Sequence, residues 1–237
     1  MNRTALSLGL GLAGATLIAC GDEMPVMPDA PVVECTTPRA ERYLPFDVGS
    51  TWTYDVTEVG LPTVQKTSTV EAFEDTGGDK AGVEAFRVRT EKTAGATVSW
   101  QQDICTGVVR HREKSFDMND ALVSDQYYAP SKLRIDETPA RLAQSATWTE
   151  SYTETEIDPG TGATTTTAKA ATWTVDAVDE EITVPAGTFT CLRLHRVGAD
   201  VGQSDKTYWF AAGVGKIRET GSQTEELASY TLAAELR

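Results

Sequence analysis

Histidine is nearly missing from this 237-residue chain: His111 and His195 are the only two. No Gly-x-Ser-x-Gly elbow is present to present a serine nucleophile. No glycine-rich phosphate loop follows a strand, and no Cys-x-x-Cys pair offers a zinc or redox site. Bases are scarce as well, 21 against 35 acids, for a formal charge of −14. A surface of that sign repels nucleic acid and anionic headgroups. Beyond residue 19 no apolar run approaches the ~20 residues that a membrane-spanning helix needs. Nor does any segment hold a helical period. These gaps argue against an enzyme, a metal or cofactor protein, and a nucleic-acid binder.

What is present begins at the N-terminus. Arg3 precedes an apolar, Gly- and Ala-rich run over residues 5–15, which ends in Leu17-Ile18-Ala19-Cys20. A charged start, a short apolar stretch and a small-residue cleavage site make a secretory signal. The last four residues resemble the lipobox of bacterial lipoproteins. That resemblance implies lipid transfer to the Cys20 thiol, cleavage before it and acylation of the new amine. Residues 1–19 then read as signal peptide and Cys20 as a palmitate-type anchor in the cell envelope. Gly21 rather than Asp follows the cysteine, which by analogy with lipoprotein sorting favours the outer membrane. Residues 20–42 read as a tether, because Pro25, Pro28, Pro31 and Pro38 block helix and central strand.

Three further cysteines remain: Cys35, Cys105 and Cys191. An exported chain with three thiols should form one disulfide and keep one thiol. Cys35–Cys105 is the favoured pair and Cys105–Cys191 the alternative. Cys191 lies in the apolar run 189–194 and reads as a core thiol.

Residues 43–237 read as one β-rich domain. Thr51 to Val59 alternates, with Trp52, Tyr54 and Val56 on one face and Thr53, Asp55 and Thr57 on the other. Period-two alternation rich in aromatics and threonine marks a half-buried strand. The style recurs around Phe86, Trp100, Trp148, Trp173, Phe189 and Trp209. Asp158-Pro159-Gly160-Thr161-Gly162 and Pro185-Ala186-Gly187 supply turns. The tail at 225–236 fits a helix or a strand equally. Many strands without interleaved helices give a mostly antiparallel sheet. About ten strands must curl or split. The expectation is therefore all-β, a large, strongly curved antiparallel sheet (a half-barrel), with a two-sheet sandwich as the alternative. Trp52, Trp100, Trp148 and Trp173 are expected on one face. There they either fill the concavity or line an apolar gap, and the reading leans to the filled face.

The remaining chemistry has structural explanations. Arg110-His111-Arg112 and Arg193-Leu194-His195-Arg196 could form a small anion site, but cross-strand pairing with Asp and Glu is the simpler reading. Asp75-Thr76-Gly77 matches an aspartic-protease tripeptide, yet its Gly- and Asp-rich flanks make it a loop tip. Asp117, Asn119 and Asp120 make a turn and lack the calcium-loop pattern.

A wider likeness rests on Tyr43-Leu44-Pro45-Phe46, Gly49, Trp52-Thr53-Tyr54, Val184-Pro185-Ala186-Gly187-Thr188-Phe189 and Trp209-Phe210-Ala211-Ala212-Gly213-Val214-Gly215. The spacing resembles a group of uncharacterised bacterial lipoproteins, found notably in myxobacteria, with a G-x-x-W-x-Y … V-P-A-G-x-F … G-V-G skeleton. The resemblance implies a curved antiparallel sheet and no activity. The function expected is a lipid-anchored envelope protein with a structural or binding role. Its partner is the membrane through the lipid, together with a protein or an apolar ligand. A carrier of an apolar ligand is one alternative, an envelope hydrolase the more distant one.

Overall fold

The computed structural model describes residues 35–199 and 205–234; Cys20, the signal segment and most of the tether lie outside them. Twelve strands follow one another: β1 (Thr51–Thr57), β2 (Val64–Asp75), β3 (Glu84–Lys92), β4 (Gly95–Asp103), β5 (Gly107–Phe116) and β6 (Leu122–Asp136). After a short helix, α1 (Pro139–Leu142), come β7 (Thr147–Ile157), β8 (Thr164–Val184), β9 (Gly187–Gly198), β10 (Lys206–Ala211), β11 (Gly215–Thr220) and β12 (Thr224–Thr231). Each strand pairs antiparallel with its sequence neighbour, and β1 pairs with β12. The curved antiparallel sheet therefore goes further than a half-barrel and closes. Closure satisfies both edges of a sheet that would otherwise present unpaired backbone. The ambiguous tail is strand β12, because β1 offers its edge in register from Thr51↔Thr231 to Thr57↔Thr224.

Two seams lack a full ladder, and side chains or turns fill them. Between β6 and β7 the pairing covers only Asp125–Ala129 against Thr153–Ile157. Further along, the carboxylate of Glu150 accepts the Leu133 N–H at 2.6 Å. Its other oxygen accepts Trp173 Nε1 at 2.9 Å. Between β11 and β12 only Arg218–Thr220 and Thr224–Glu226 pair. There the β8–β9 turn docks, and Ala186 N–H donates to Leu227 O at 2.9 Å.

One end of the barrel is plugged by the segment that enters β1. Cys35 and Cys105 form a disulfide, with Cys105 in the β4–β5 turn. Arg42, only 3% exposed, pairs with Asp103 at 2.6 Å and Glu137 at 3.0 Å. Residues 35–42, read from sequence as the end of the tether, are thus packed on the barrel. The turn after β10 meets this strap: Gly213 N–H donates to Arg42 O at 2.8 Å. A Cβ on Gly213 would stand 2.9 Å from Ala40 O, and its φ of 72° is unfavourable for other residues. Trp52 Nε1 donates to Val214 O at 2.7 Å, and Tyr54 Oη donates to Lys216 O at 3.1 Å. The skeleton motifs singled out in the sequence are therefore the parts of one plugged end.

The aromatic face is corrected in one place. Trp148, Trp173, Tyr208 and Phe210 stack in a row inside the barrel, with ring centroids 5.7–6.2 Å apart. Trp52 also faces inward. Trp100 does not: its neighbours Ser99 and Gln101 line the interior, so alternation turns it outward. On the outer wall it is covered by the Arg112 guanidinium, 5.1 Å from the ring centroid, and donates to Glu74 at 3.0 Å. The outer wall otherwise carries threonine and charge, as in Thr51, Thr53, Asp55, Arg87, Arg89, Thr147, Thr149, Thr172 and Thr174. Among the described residues Phe73, Val123 and Val197 are also exposed on strands.

Candidate functional site

Inside the barrel is a chamber of about 390 Å³, within the ~300–1,000 Å³ range of small-molecule sites. Leu44 and Phe46 of the strap form its floor, with Trp52, Trp173, Tyr208 and Phe210 above them. From there the wall turns polar. Lys66, Lys92, Arg110, Lys132, Arg134, Arg196, Lys206 and Lys216 line it, against Glu113, Glu219 and Glu225. Eight bases face three acids inside a chain whose formal charge is −14. The lining rises to Lys92, Lys206 and Gln223 at the rim opposite the strap, where Lys92 is exposed. The chamber is neither the filled apolar core nor the dry apolar gap expected from the tryptophans. Most of the aromatics lie on the strap side, Tyr54 sits beneath Lys66 and Lys216, and charged and polar side chains take most of the rest.

The charges fall into two groups. On one side, Lys216 pairs with Glu225 at 2.6 Å and with Glu219 at 2.5 Å. Lys66 also pairs with Glu225, and Lys206 with Glu219. Burial opposes each of these charges; the pairs win at Lys216, Glu219 and Glu225, whereas Lys66 is pushed down to about 8, by burial first and then by Lys216. Lys216 is held above, and Glu219 well below, their ordinary ranges by each other. Glu225 is brought down to about 2, chiefly by Lys216 against the cost of burial. This cluster is close to self-neutralised.

Across the chamber, neutralisation is incomplete. Arg110 pairs with Glu113, and Arg196 stands 3.7 Å from Glu150. Among the described residues Lys132 has no carboxylate within ion-pair distance; its ammonium sits over the rings of Tyr128 at 5.1 Å and Tyr152 at 5.4 Å. Burial first, and then Arg110 and Arg134, push the Lys132 amine down to about 8. Arg134 is lowered in the same way, by burial and by Arg110. Its Nε is buried without a hydrogen-bond partner, as are Arg110 Nε and Gln101 Oε1.

The arginine–histidine clusters divide between the two faces. Arg110 and Arg196 turn inward and line the chamber. A bulge in the β5–β6 pairing between Arg110 and Arg112 breaks the alternation and sends Arg112 to the outer wall. There Arg112 makes a two-pronged pair with Asp125. His111 accepts or donates to Gln102 at 2.9 Å and Ser131 at 2.6 Å, and burial lowers its pKa. Arg193 pairs with Glu180 at 2.9 Å. Asp75 accepts the Gly77 N–H at 2.6 Å and Asp117 accepts those of Asn119 and Ala121, so both carboxylates are turn caps. Cys191 is free and buried, with its thiol pushed up to about 12 by burial. Lys66, Lys132, Arg134, Lys216, Glu219 and Glu225 escaped the sequence reading. The signal available was alternation: Lys132-Leu133-Arg134 puts two cations on one face of a strand.

No family model matches the chain, and no curated protein matches it. Among solved structures, a chain from Parabacteroides distasonis designated a candidate lipoprotein aligns at 11% identity with a TM-score of 0.36, over 80% of this chain and 98% of that one. A likeness of that size carries no conclusion for this chain.

Proposed function

We propose that this is a lipid-anchored envelope protein that binds a small anionic molecule inside its barrel. The observation that carries the reading is the chamber, in which eight bases face three acids within an acidic protein. Burying cations away from water is costly, and a chain with so few bases has ample exposed positions for them. Concentrating them around a cavity makes physical sense if an anion enters it. The acidic exterior repels anions in general, while Lys92 and Lys206 at the rim attract them locally. The Cys20 lipobox supports a lipid as the anchor, and Gly21 supports outer-membrane sorting. The role in this reading is binding without catalysis.

The test is native mass spectrometry of the full chain carrying Cys20→Ser, expressed in a bacterial envelope and purified without detergent or phosphate. A reproducible co-purifying anion of small mass is the expected result. Metabolic labelling with a fatty acid, present in the wild type and lost in Cys20→Ser, checks the anchor. A bare protein mass that also fails to shift with added anions would remove the binding role and leave a structural one.

A further inference from the structure

Three interior strands place a row of polar side chains side by side. Gln101 of β4 pairs with Arg110 of β5, and Arg110 pairs with Lys132 of β6. Arg134 follows Lys132 by two residues and so shares its face; all four line the chamber. Like charges directly opposite each other on neighbouring strands are destabilising, and Arg110 and Lys132 stand in that relation. Arg134 adds a third cation with no ion pair or hydrogen bond among the described residues, and its Nε is buried. Only Glu113 offsets the three at ion-pair distance, and it is engaged by Arg110. Gln101 is 5% exposed; its amide nitrogen donates to Ser99 Oγ at 2.9 Å, which leaves Oε1 buried with no partner. The row therefore offers two guanidinium forks, an ammonium and one unused acceptor to a guest. Tyr208 and Phe210 continue the lining beside it as flat apolar surface.

Resting on the reading of the chamber as an anion site, we propose that Arg110, Lys132 and Arg134 form a receptor for a doubly charged oxyanion group of the phosphate monoester kind. Gln101 takes a hydroxyl of the ligand, and Tyr208 and Phe210 take a planar body attached to it. Two negative charges are needed because three cations share one carboxylate. Guanidinium forks match the paired oxygens of such groups. The ligand also supplies the hydrogen-bond partners that Arg134 Nε and Gln101 Oε1 lack, so binding relieves a cost already built into the empty wall.

The probe is phenyl phosphate, titrated calorimetrically into the full chain carrying Cys20→Ser at pH 7 and low salt. Inorganic phosphate, phenyl sulfate, benzoate and phenyl glucoside serve as comparisons. One phenyl phosphate should bind per chain, and the singly charged and neutral compounds should bind at least tenfold more weakly. Inorganic phosphate binding as well as phenyl phosphate would remove the ring contact. Arg134→Gln and Lys132→Gln should each weaken phenyl phosphate roughly 10- to 100-fold. Lys114→Gln, on the outer wall, should leave it unchanged. Equal binding by wild type and both interior variants would overturn the receptor while leaving the chamber an anion site elsewhere on its wall. Equal binding of phenyl glucoside would overturn the charge requirement. Failure of every anion to bind wild type would overturn the chamber reading itself, and the receptor with it. Thermal unfolding is recorded for each variant. The interior substitutions should keep or raise the unfolding temperature, and a fall of many degrees would mean that these cations hold the fold instead.

Discussion

Arg42 and Arg134 are two arginines turned away from solvent in one barrel, and their surroundings are opposite. Arg42 lies in the strap, where Asp103 and the carbonyl oxygens of Cys105 and Gly107 accept from it and Glu137 forms a second ion pair at its Nε. Glu137 is raised by burial despite Arg42, which shows how dry the pocket is. Arg134, by contrast, faces the chamber with its Nε unpartnered and Arg110 and Lys132 for company. A buried charge paired with two carboxylates is a structural part. One left with bonds unmade beside like charges is a cost that the fold carries, and a ligand is what removes it. The plugged end and the open chamber are thus a structural region and a functional one built from the same residue types.

The sharpest way to break this comparison is at the plugged end. Arg42→Met leaves Asp103 and Glu137 near each other without a cation. Removing one partner of a buried pair costs roughly 3–5 kcal/mol, so urea unfolding should show a loss of that order. A loss under about 1 kcal/mol would mean the strap is held by the disulfide and its apolar contacts alone.

In the chamber the sign should reverse. Arg134→Met removes a cation that repels its neighbours and puts an apolar side chain beside Tyr208 and Leu133. The unliganded protein should gain stability, by up to ~1 kcal/mol on the scale of like-charge cross-strand pairs. A clear loss in the same urea experiment would place Arg134 with Arg42 as a structural arginine.

The smallest effect is a dependence on pH. Lys132 faces Arg110 and Glu113 from β5, Arg134 on its own strand, and Glu154 from β7, with the Tyr128 and Tyr152 rings beneath it. Its amine titrates at about 8 in the folded chain, against an ordinary 10.5. Between those values the unfolded chain holds a proton that the folded one has lost, so this residue's contribution to stability rises with pH. Below pH 8 the folded protein carries the charge and its cost. Lys66 titrates in the same range, so the difference between two proteins is the clean measurement. The stability advantage of Lys132→Met over wild type should shrink as pH goes from 7 to 9.5. Phenyl phosphate affinity of wild type should fall over the same range as the ammonium is lost. An advantage that is flat or grows with pH would contradict the burial argument.

The sequence by itself was enough for most of the strands and for the turns between them, but not for the packing of residues 35–42 on the barrel. Alternation of Trp52, Tyr54 and Val56 with threonine and aspartate can only be a two-faced strand, and Gly213 and Pro185 mark turns through local conformational limits. Strand existence depends on residues within a few positions, which a linear reading sees. The direction in which Arg110, Lys132 and Arg134 point was not legible. In a closed barrel with a polar interior, both faces of a strand accept charged residues, so a lysine carries no label for inside or outside. The bulge between Arg110 and Arg112 makes matters worse, since it reverses the phase within one tripeptide. Trp100 shows the same limit from the apolar side, because Arg112 and Glu74 bury it on the outer wall. Local chemistry fixed which segments are strands. Register, closure and the position of each bulge are properties of strands paired across the whole chain, and they alone decided that the cations surround a chamber.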